Sequence, residues 1–103
     1  MIADDERLRA DLTRLRGLMA LRTERERQST AALVNRESAR HAYVQLVGRH
    51  EALNPDAHHE AQLQLHAADL ALEAASGAVI EIKREIDLAR LDYDQHRQSS
   101  RRS

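Results

Sequence analysis

Six histidines are the side chains of this 103-residue sequence best suited to metal or acid–base chemistry. His58, His59 and Glu60 are consecutive, and His66 follows His59 by seven residues. Zinc ligands that share one helix usually stand four residues apart, and that spacing is absent here. We therefore expect exposed or flanking histidines rather than ligands, with no cofactor. The alternative is a weak metal site in which His50 approaches His58 across a turn.

The serines and carboxylates form no catalytic pattern. The sequence has no Cys nucleophile, no Gly-rich phosphate loop and no serine in a nucleophile-elbow motif. Ser29, Ser38 and Ser76 fall inside helical patterns, and the carboxylates alternate with arginines as they do on ordinary solvated helix faces. The sequence therefore predicts a protein that is not an enzyme.

The composition favours long helices. Charged residues make up 32% of the chain and aromatic residues 2%, with one Pro, three Gly and no Cys. Such a sequence excludes a disulfide scaffold and disfavours an all-β fold. The net charge of −1 disfavours a general nucleic-acid binder. The acidic start at Met1–Glu6 is no signal peptide, and no stretch is apolar enough to cross a bilayer. We expect a cytoplasmic protein without membrane insertion.

One break divides the chain into two helices. Asn54 is a good N-cap, and Pro55 would then occupy the first position of a new helix. We predict one domain over 1–97, with helix one over about 3–53, a turn at 54–55 and helix two over about 55–97. Residues 98–103 are predicted to be a disordered basic tail. The fold class is all-α, a long antiparallel two-helix coiled-coil hairpin in which facing residue numbers sum to about 108.

The heptad pattern is regular in helix two and interrupted in helix one. Arg22 to Thr30 contains no apolar residue. This run is either a solvated helix held by pairs such as Arg22–Glu26, or an interruption that meets a charged partner. The predicted seam of helix one consists of Leu8, Leu12, Leu15 and Met19, then Leu33, Ala39, Tyr43 and Leu46. That of helix two consists of Ala61, Leu65, Ala68, Leu72, Ala75, Val79, Ile82, Ile86, Ala89 and Tyr93.

Ile82 and Ile86 are predicted to face the polar run of helix one. Charged neighbours offer an isoleucine only their aliphatic stems, and a lone hairpin has a thin core. We therefore expect both isoleucines to contact another apolar surface. That surface would belong to a second copy, giving a four-helix bundle, or to a different protein.

The stretch Leu15–Arg27, followed by Ala31-Ala32-Leu33, resembles the start of the central-stalk proteins of type III secretion and flagellar export. The resemblance implies a two-helix antiparallel coiled coil whose free ends insert into the export ATPase and whose turn-proximal half reaches the export gate and chaperones. Arg7, Arg14 and Arg16 would then face the ATPase. Tyr43, Leu46, Val47 and Leu65 would be candidates for gate contact.

Other functions remain open. The basic residues at the free ends are either a solvated end or a docking end for an acidic surface. The alternative to a stalk is a self-associating coiled-coil scaffold or a small chaperone-like interaction protein. A metal- or nucleic-acid-binding regulatory hairpin is a third interpretation, although nucleic acid lacks support because no aromatic residues are interleaved with the arginines.

Overall fold

The protein is an all-α helical hairpin, as the sequence predicts. The structure, a computed structural model, describes residues 2–48 and 54–102, with side chains described over 4–48 and 54–101. Helix α1 is Ile2–Gly48 and helix α2 is Pro55–Arg102. Over these residues the secondary structure contains no strand. The predicted end of helix one near Leu53 lies outside the described residues, and so does His50.

The start of α2 follows the predicted capping chemistry. The Asn54 side-chain oxygen accepts hydrogen bonds from the backbone N–H groups of Asp56, at 3.2 Å, and of Ala57, at 3.4 Å. The backbone oxygen of Asn54 accepts the bond from His58 N–H at 3.2 Å. Pro55 occupies the first turn, where its missing N–H costs nothing. The Asn-Pro pair therefore fixes where the second helix begins.

The far end of α2 extends beyond the predicted boundary. The helix continues through Arg102, so the described part of segment 98–103, for which the sequence predicted disorder, is helical. Ser100 is half-buried and stands seven residues after Tyr93 in the same heptad position. The seam therefore extends further than its apolar residues indicate, since the sequence pattern registers only apolar side chains.

The chain divides into two compact units, each with a segment of both helices. The first unit comprises Met1–Arg25 and Ala78–Ser103, and the second comprises Glu26–Gly77. Within each unit, contacts pair increasing residue numbers on α1 with decreasing numbers on α2, so both units are antiparallel helix pairs. These contacts are Arg14 with Asp92 and Asp11 with His96 in the first unit, and Arg36 with Asp69 and Tyr43 with His58 in the second.

The predicted seam of α2 is the observed one. All ten predicted residues are buried or half-buried, while their neighbours outside the seam are mostly exposed. The fully buried apolar side chains among the described residues come from this helix alone: Ala68, Ile82, Ile86 and Ala89.

The predicted seam of α1 is wrong at three positions. Leu12, Met19 and Leu33 are 37%, 48% and 46% exposed. Their neighbours Asp11, Leu18 and Ala32 occupy the half-buried positions instead. The polar run does not interrupt the helix, because the seam continues through three half-buried polar residues: Arg22, Arg25 and Ser29.

Arg25 shows how a polar residue occupies the seam. Its Nη1 donates to the backbone carbonyl of Ala78 at 3.3 Å. A helical carbonyl retains a second lone pair for such a bond. Arg25 thus keeps a hydrogen bond for its guanidinium while it occupies a half-buried seam position.

The expectation that Ile82 and Ile86 contact a second protein surface is wrong. Their exposed fractions are 0% and 1% within this single chain. Each cross-helix contact in the first unit joins residues whose numbers sum to less than the predicted value of about 108. Both isoleucines are covered within the hairpin.

Candidate protein-binding surface

The three arginines predicted to dock on an ATPase lie in the first unit and differ in their partners. Arg14 Nη1 donates to Asp92 Oδ2 at 3.1 Å, and both side chains are about half exposed. Arg7 and Arg16 are exposed and form no ion pair with another described residue. Arg14 is thus engaged within the hairpin, and Arg7 and Arg16 are the pair available to an acidic surface.

A histidine–carboxylate pair joins the two helices of the first unit. His96 Nδ1 and Asp11 Oδ2 are 2.5 Å apart, and the two side chains are 30% and 13% exposed. A carboxylate oxygen and an imidazole nitrogen at this distance share one hydrogen. Both residues occupy seam positions, three residues after Leu8 and Tyr93 respectively. The predicted seams contained apolar residues only, so neither Asp11 nor His96 was expected in them.

We expect the Asp11–His96 pair to contribute coupling energy to folding. In a double-mutant cycle with Asp11→Ala and His96→Ala, the coupling should be about 1 kcal/mol, because the pair is partly screened by solvent. Urea unfolding of the four proteins at one pH, followed by circular dichroism, measures it. Strictly additive losses would show that the short contact adds no stability.

The residues predicted to contact an export gate lie in the second unit. Tyr43, Leu46 and Leu65 are half-buried seam residues, and Val47 is 49% exposed. The Tyr43 ring packs against the His58 imidazole, with centroids 5.5 Å apart and planes tilted by 51°. Most of this predicted site therefore belongs to the packing of the hairpin, and Val47 is its outward-facing member.

A shallow groove follows one side of the helix pair in the second unit. One section, of about 450 Å³, and a second, of about 330 Å³, share Ala42 and Gln64 in their walls. In the sequence, this groove corresponds to a set of alanines in and beside both seams. The remaining lining residues are Asn35, Ser38, Ala39, Ala67 and Ala68 in the first section and Leu46, Ala57, Glu60 and Ala61 in the second.

The cross-helix ion pair of the second unit is shorter than the Arg14–Asp92 pair of the first unit. Arg36 Nε donates to Asp69 Oδ1 at 2.7 Å, and Arg36 Nη1 donates to Glu37 at 3.2 Å. The hydrogen bond and charge of Asp69 raise the pKa of Arg36. Arg14–Asp92 and Arg36–Asp69 both join a basic residue of α1 to an acidic residue of α2.

A second apolar row flanks the seam of α1. Leu12 and Met19 each directly follow a seam residue in the first unit, and Leu33 and Val47 do so in the second. All four are between 37% and 49% exposed. Apolar residues at this position widen the helical stripe beyond what one partner helix covers. Each unit therefore presents apolar side chains beside its own helix–helix contact.

Comparisons with known proteins add no relative. No family model, curated protein or solved structure matches this chain. Over the part of the chain that the structure describes, no three His, Cys, Asp or Glu side chains gather in a way that could hold a metal ion. Neither helix has a stretch long and apolar enough to span a membrane over its described length.

Proposed function

We propose that this chain is a non-enzymatic, cytoplasmic helical-hairpin adaptor that binds other proteins along its length. The observation that carries the proposal is the second apolar row, Leu12 and Met19 in one unit and Leu33 and Val47 in the other. Single exposed apolar residues are common on protein surfaces, but a repeat in register with a coiled-coil seam favours a further helix as neighbour.

The specific form of this proposal is a stalk in a type III secretion export apparatus that contacts the export ATPase and the export gate. Its support is the resemblance of Leu15–Arg27 to stalk proteins, together with the hairpin fold. In this role the exposed Arg7 and Arg16 contact the ATPase, and Val47 contacts the gate.

Binding to a purified export ATPase tests the stalk role. We expect the full chain to bind in a pull-down, and Arg7→Glu/Arg16→Glu to lose most of that binding, because two exposed cations become anions. The matched control is Arg40→Glu/Arg84→Glu, which makes the same change in net charge at two other exposed positions. Equal binding by both double variants would contradict the assignment of Arg7 and Arg16.

The groove of the second unit favours a second candidate, a self-associating scaffold. The walls of its first section are alanines and uncharged polar residues, so two copies could approach closely there without charge repulsion. Light scattering should then give a dimer mass for the natural chain and a monomer mass for Ala42→Glu, which places a charge where the two groove sections meet. A monomer mass for both proteins would remove this candidate.

A further inference from the structure

Five exposed residues of the first unit form a surface that combines apolar and basic side chains. Leu12 and Met19 of α1 are 37% and 48% exposed. Lys83, Arg90 and Arg97 of α2 are exposed and stand seven residues apart, so they form one row along the helix. These five residues are called the basic–apolar face below.

The Arg14–Asp92 bond shows that the two rows share one side of the helix pair. Arg14 and Asp92 each directly precede a seam residue, and their 3.1 Å contact marks one flank of the seam. Leu12 and Met19 each directly follow a seam residue, and so do Lys83, Arg90 and Arg97. In a heptad, residues that follow the second seam position lie on the opposite flank from those that precede the first. The apolar row of α1 and the basic row of α2 therefore lie on the same side of the helix pair.

The cations of this face have no partner across the hairpin. Arg14 and Arg36 are engaged by carboxylates of α2, whereas Lys83, Arg90 and Arg97 make no ion pair with any residue that the structure describes. The acidic residues nearest to them on the helix are Asp87 and Asp94, each one turn away from two of the cations. Three basic residues against two acidic ones leave this row of α2 with one excess positive charge, and Asp5, which belongs to the same α1 row as Leu12 and Met19, adds a carboxylate at the Arg97 end.

A partner that covers the face must satisfy two requirements at once. It must bury Leu12 and Met19, and it must place carboxylates opposite the basic row. An amphipathic helix can lie along this side of the helix pair. If it has an apolar stripe and acidic residues along one edge, it meets both requirements, because its heptad repeat matches the seven-residue spacing of the rows. An acidic flank also adds electrostatic steering to the apolar contact.

We infer that the basic–apolar face binds an acidic amphipathic helix of a partner protein. The inference rests on the adaptor function proposed above and names the chemistry of its partner. The site differs from Arg7 and Arg16, so the two assignments are tested by different variants.

A designed peptide tests the inference directly. The probe is a fluorescein-labelled amphipathic helix with a Leu seam flanked by Glu, and the matched peptide carries Lys at every Glu position. Fluorescence anisotropy with the full chain should show binding of the acidic peptide, weakening as salt is added, and no binding of the basic peptide. In Lys83→Glu/Arg90→Glu the affinity should fall about 10-fold or more, while Arg40→Glu/Arg84→Glu should stay within about 2-fold of the natural chain.

Two further variants separate folding from binding. Lys83→Gln/Arg90→Gln removes the charges without adding repulsion toward Asp87 and Asp94, and Met19→Ser removes apolar surface at an exposed position. Both should lower the affinity for the acidic peptide, while circular dichroism shows unchanged helix content. If only the basic-row variants weakened binding of the acidic peptide, the face would recognise charge alone, and the inferred combination of apolar and charge recognition would be wrong.

Other results overturn the inference in defined ways. Equal binding of both peptides, or of neither, contradicts an acidic-helix site. Tighter binding to anionic lipid vesicles or to duplex DNA through the same residues would assign the face to those ligands. A dimer that dissociates in Lys83→Glu/Arg90→Glu would assign it to a second copy. If the peptide does not bind while the ATPase is captured through Arg7 and Arg16, the inference fails and the adaptor function stands. If the peptide binds and the ATPase is not captured, the acidic-helix site stands and the stalk role fails.

Discussion

Replacing Ile82 with alanine should lower the free energy of unfolding by about 2–5 kcal/mol, the range for large-to-small changes in a packed core. Ile82 is 0% exposed and Ile86 is 1% exposed, so Ile86→Ala should have a similar effect. The loss combines the transfer energy of the deleted methyl groups with the cavity that remains, because rigid helices close only partly around it. Urea unfolding followed at the helical circular dichroism band measures it.

Ile80 provides the matched control for this experiment. It lies two residues earlier on the same helix and is 59% exposed. Ile80→Ala should change stability by no more than about 0.5 kcal/mol, since an exposed site gives up little burial. Should Ile82→Ala leave the chain largely unfolded, Ile82→Val supplies a graded test with an expected loss of about 0.5–1.5 kcal/mol. Equal effects at positions 80 and 82 would contradict the observed burial.

The same experiment distinguishes burial within one chain from burial between copies. Because both isoleucines are covered within the single chain, the loss in Ile82→Ala should not depend on protein concentration. An obligate dimer would instead lose stability on dilution, since folding and association would be linked. A concentration-dependent midpoint for the natural chain that disappears in Ile82→Ala would reinstate the predicted contact with a second copy.

The sequence predicts the seam of α2 well because ten of its apolar residues follow one unbroken heptad spacing. The steps from Ala61 to Tyr93 alternate between three and four without exception. The N-cap at Asn54 follows equally from residue chemistry, because the side-chain oxygen and the following proline allow few alternatives. Local pattern and tertiary packing agree in this half of the chain, so the prediction required no knowledge of the partner helix.

Helix α1 shows why the remaining features could not be read from the sequence. Leu12 directly follows Asp11 and Met19 directly follows Leu18, so two seams one residue apart both fit the heptad spacing. Apolarity favours Leu12, yet the structure places Asp11 in the seam, where His96 satisfies it. Whether Asp11 or Leu12 occupies the seam therefore depends on the facing helix. The basic–apolar face is a consequence of that choice, because it exposes Leu12 and Met19 beside the basic row.

The error in register has a related cause. A sum of about 108 assumes that the turn is centred on Asn54-Pro55, whereas proline marks only where the second helix begins. The observed contacts join residues whose numbers sum to less than 108, as Arg36 and Asp69 do in the second unit. The burial of Ile82 and Ile86 within the single chain, at 0% and 1% exposure, is what reversed the prediction for both.

Replacing Gly17 and Gly77 with alanine should raise the free energy of unfolding by about 0.8–1 kcal/mol each, the helix-propensity difference between the two residues. Neither glycine has a positive φ, and a Cβ added at either would meet nothing within 4 Å. Neither position therefore requires glycine for backbone conformation or close approach. In a domain of this size each kcal/mol raises the melting temperature by about 4–8 °C.

Gly77 is the more informative of the two glycines. It is half-buried and adjoins Ala78, whose carbonyl accepts the Arg25 guanidinium, whereas Gly17 is exposed. If Gly77→Ala destabilises the chain while Gly17→Ala stabilises it, then the added methyl obstructs the arginine and glycine is needed for that contact. If both stabilise, the two glycines weaken their helices without any packing requirement. The reverse change Ala20→Gly, at an exposed position of α1, sets the scale with an expected loss of about 1 kcal/mol in thermal unfolding.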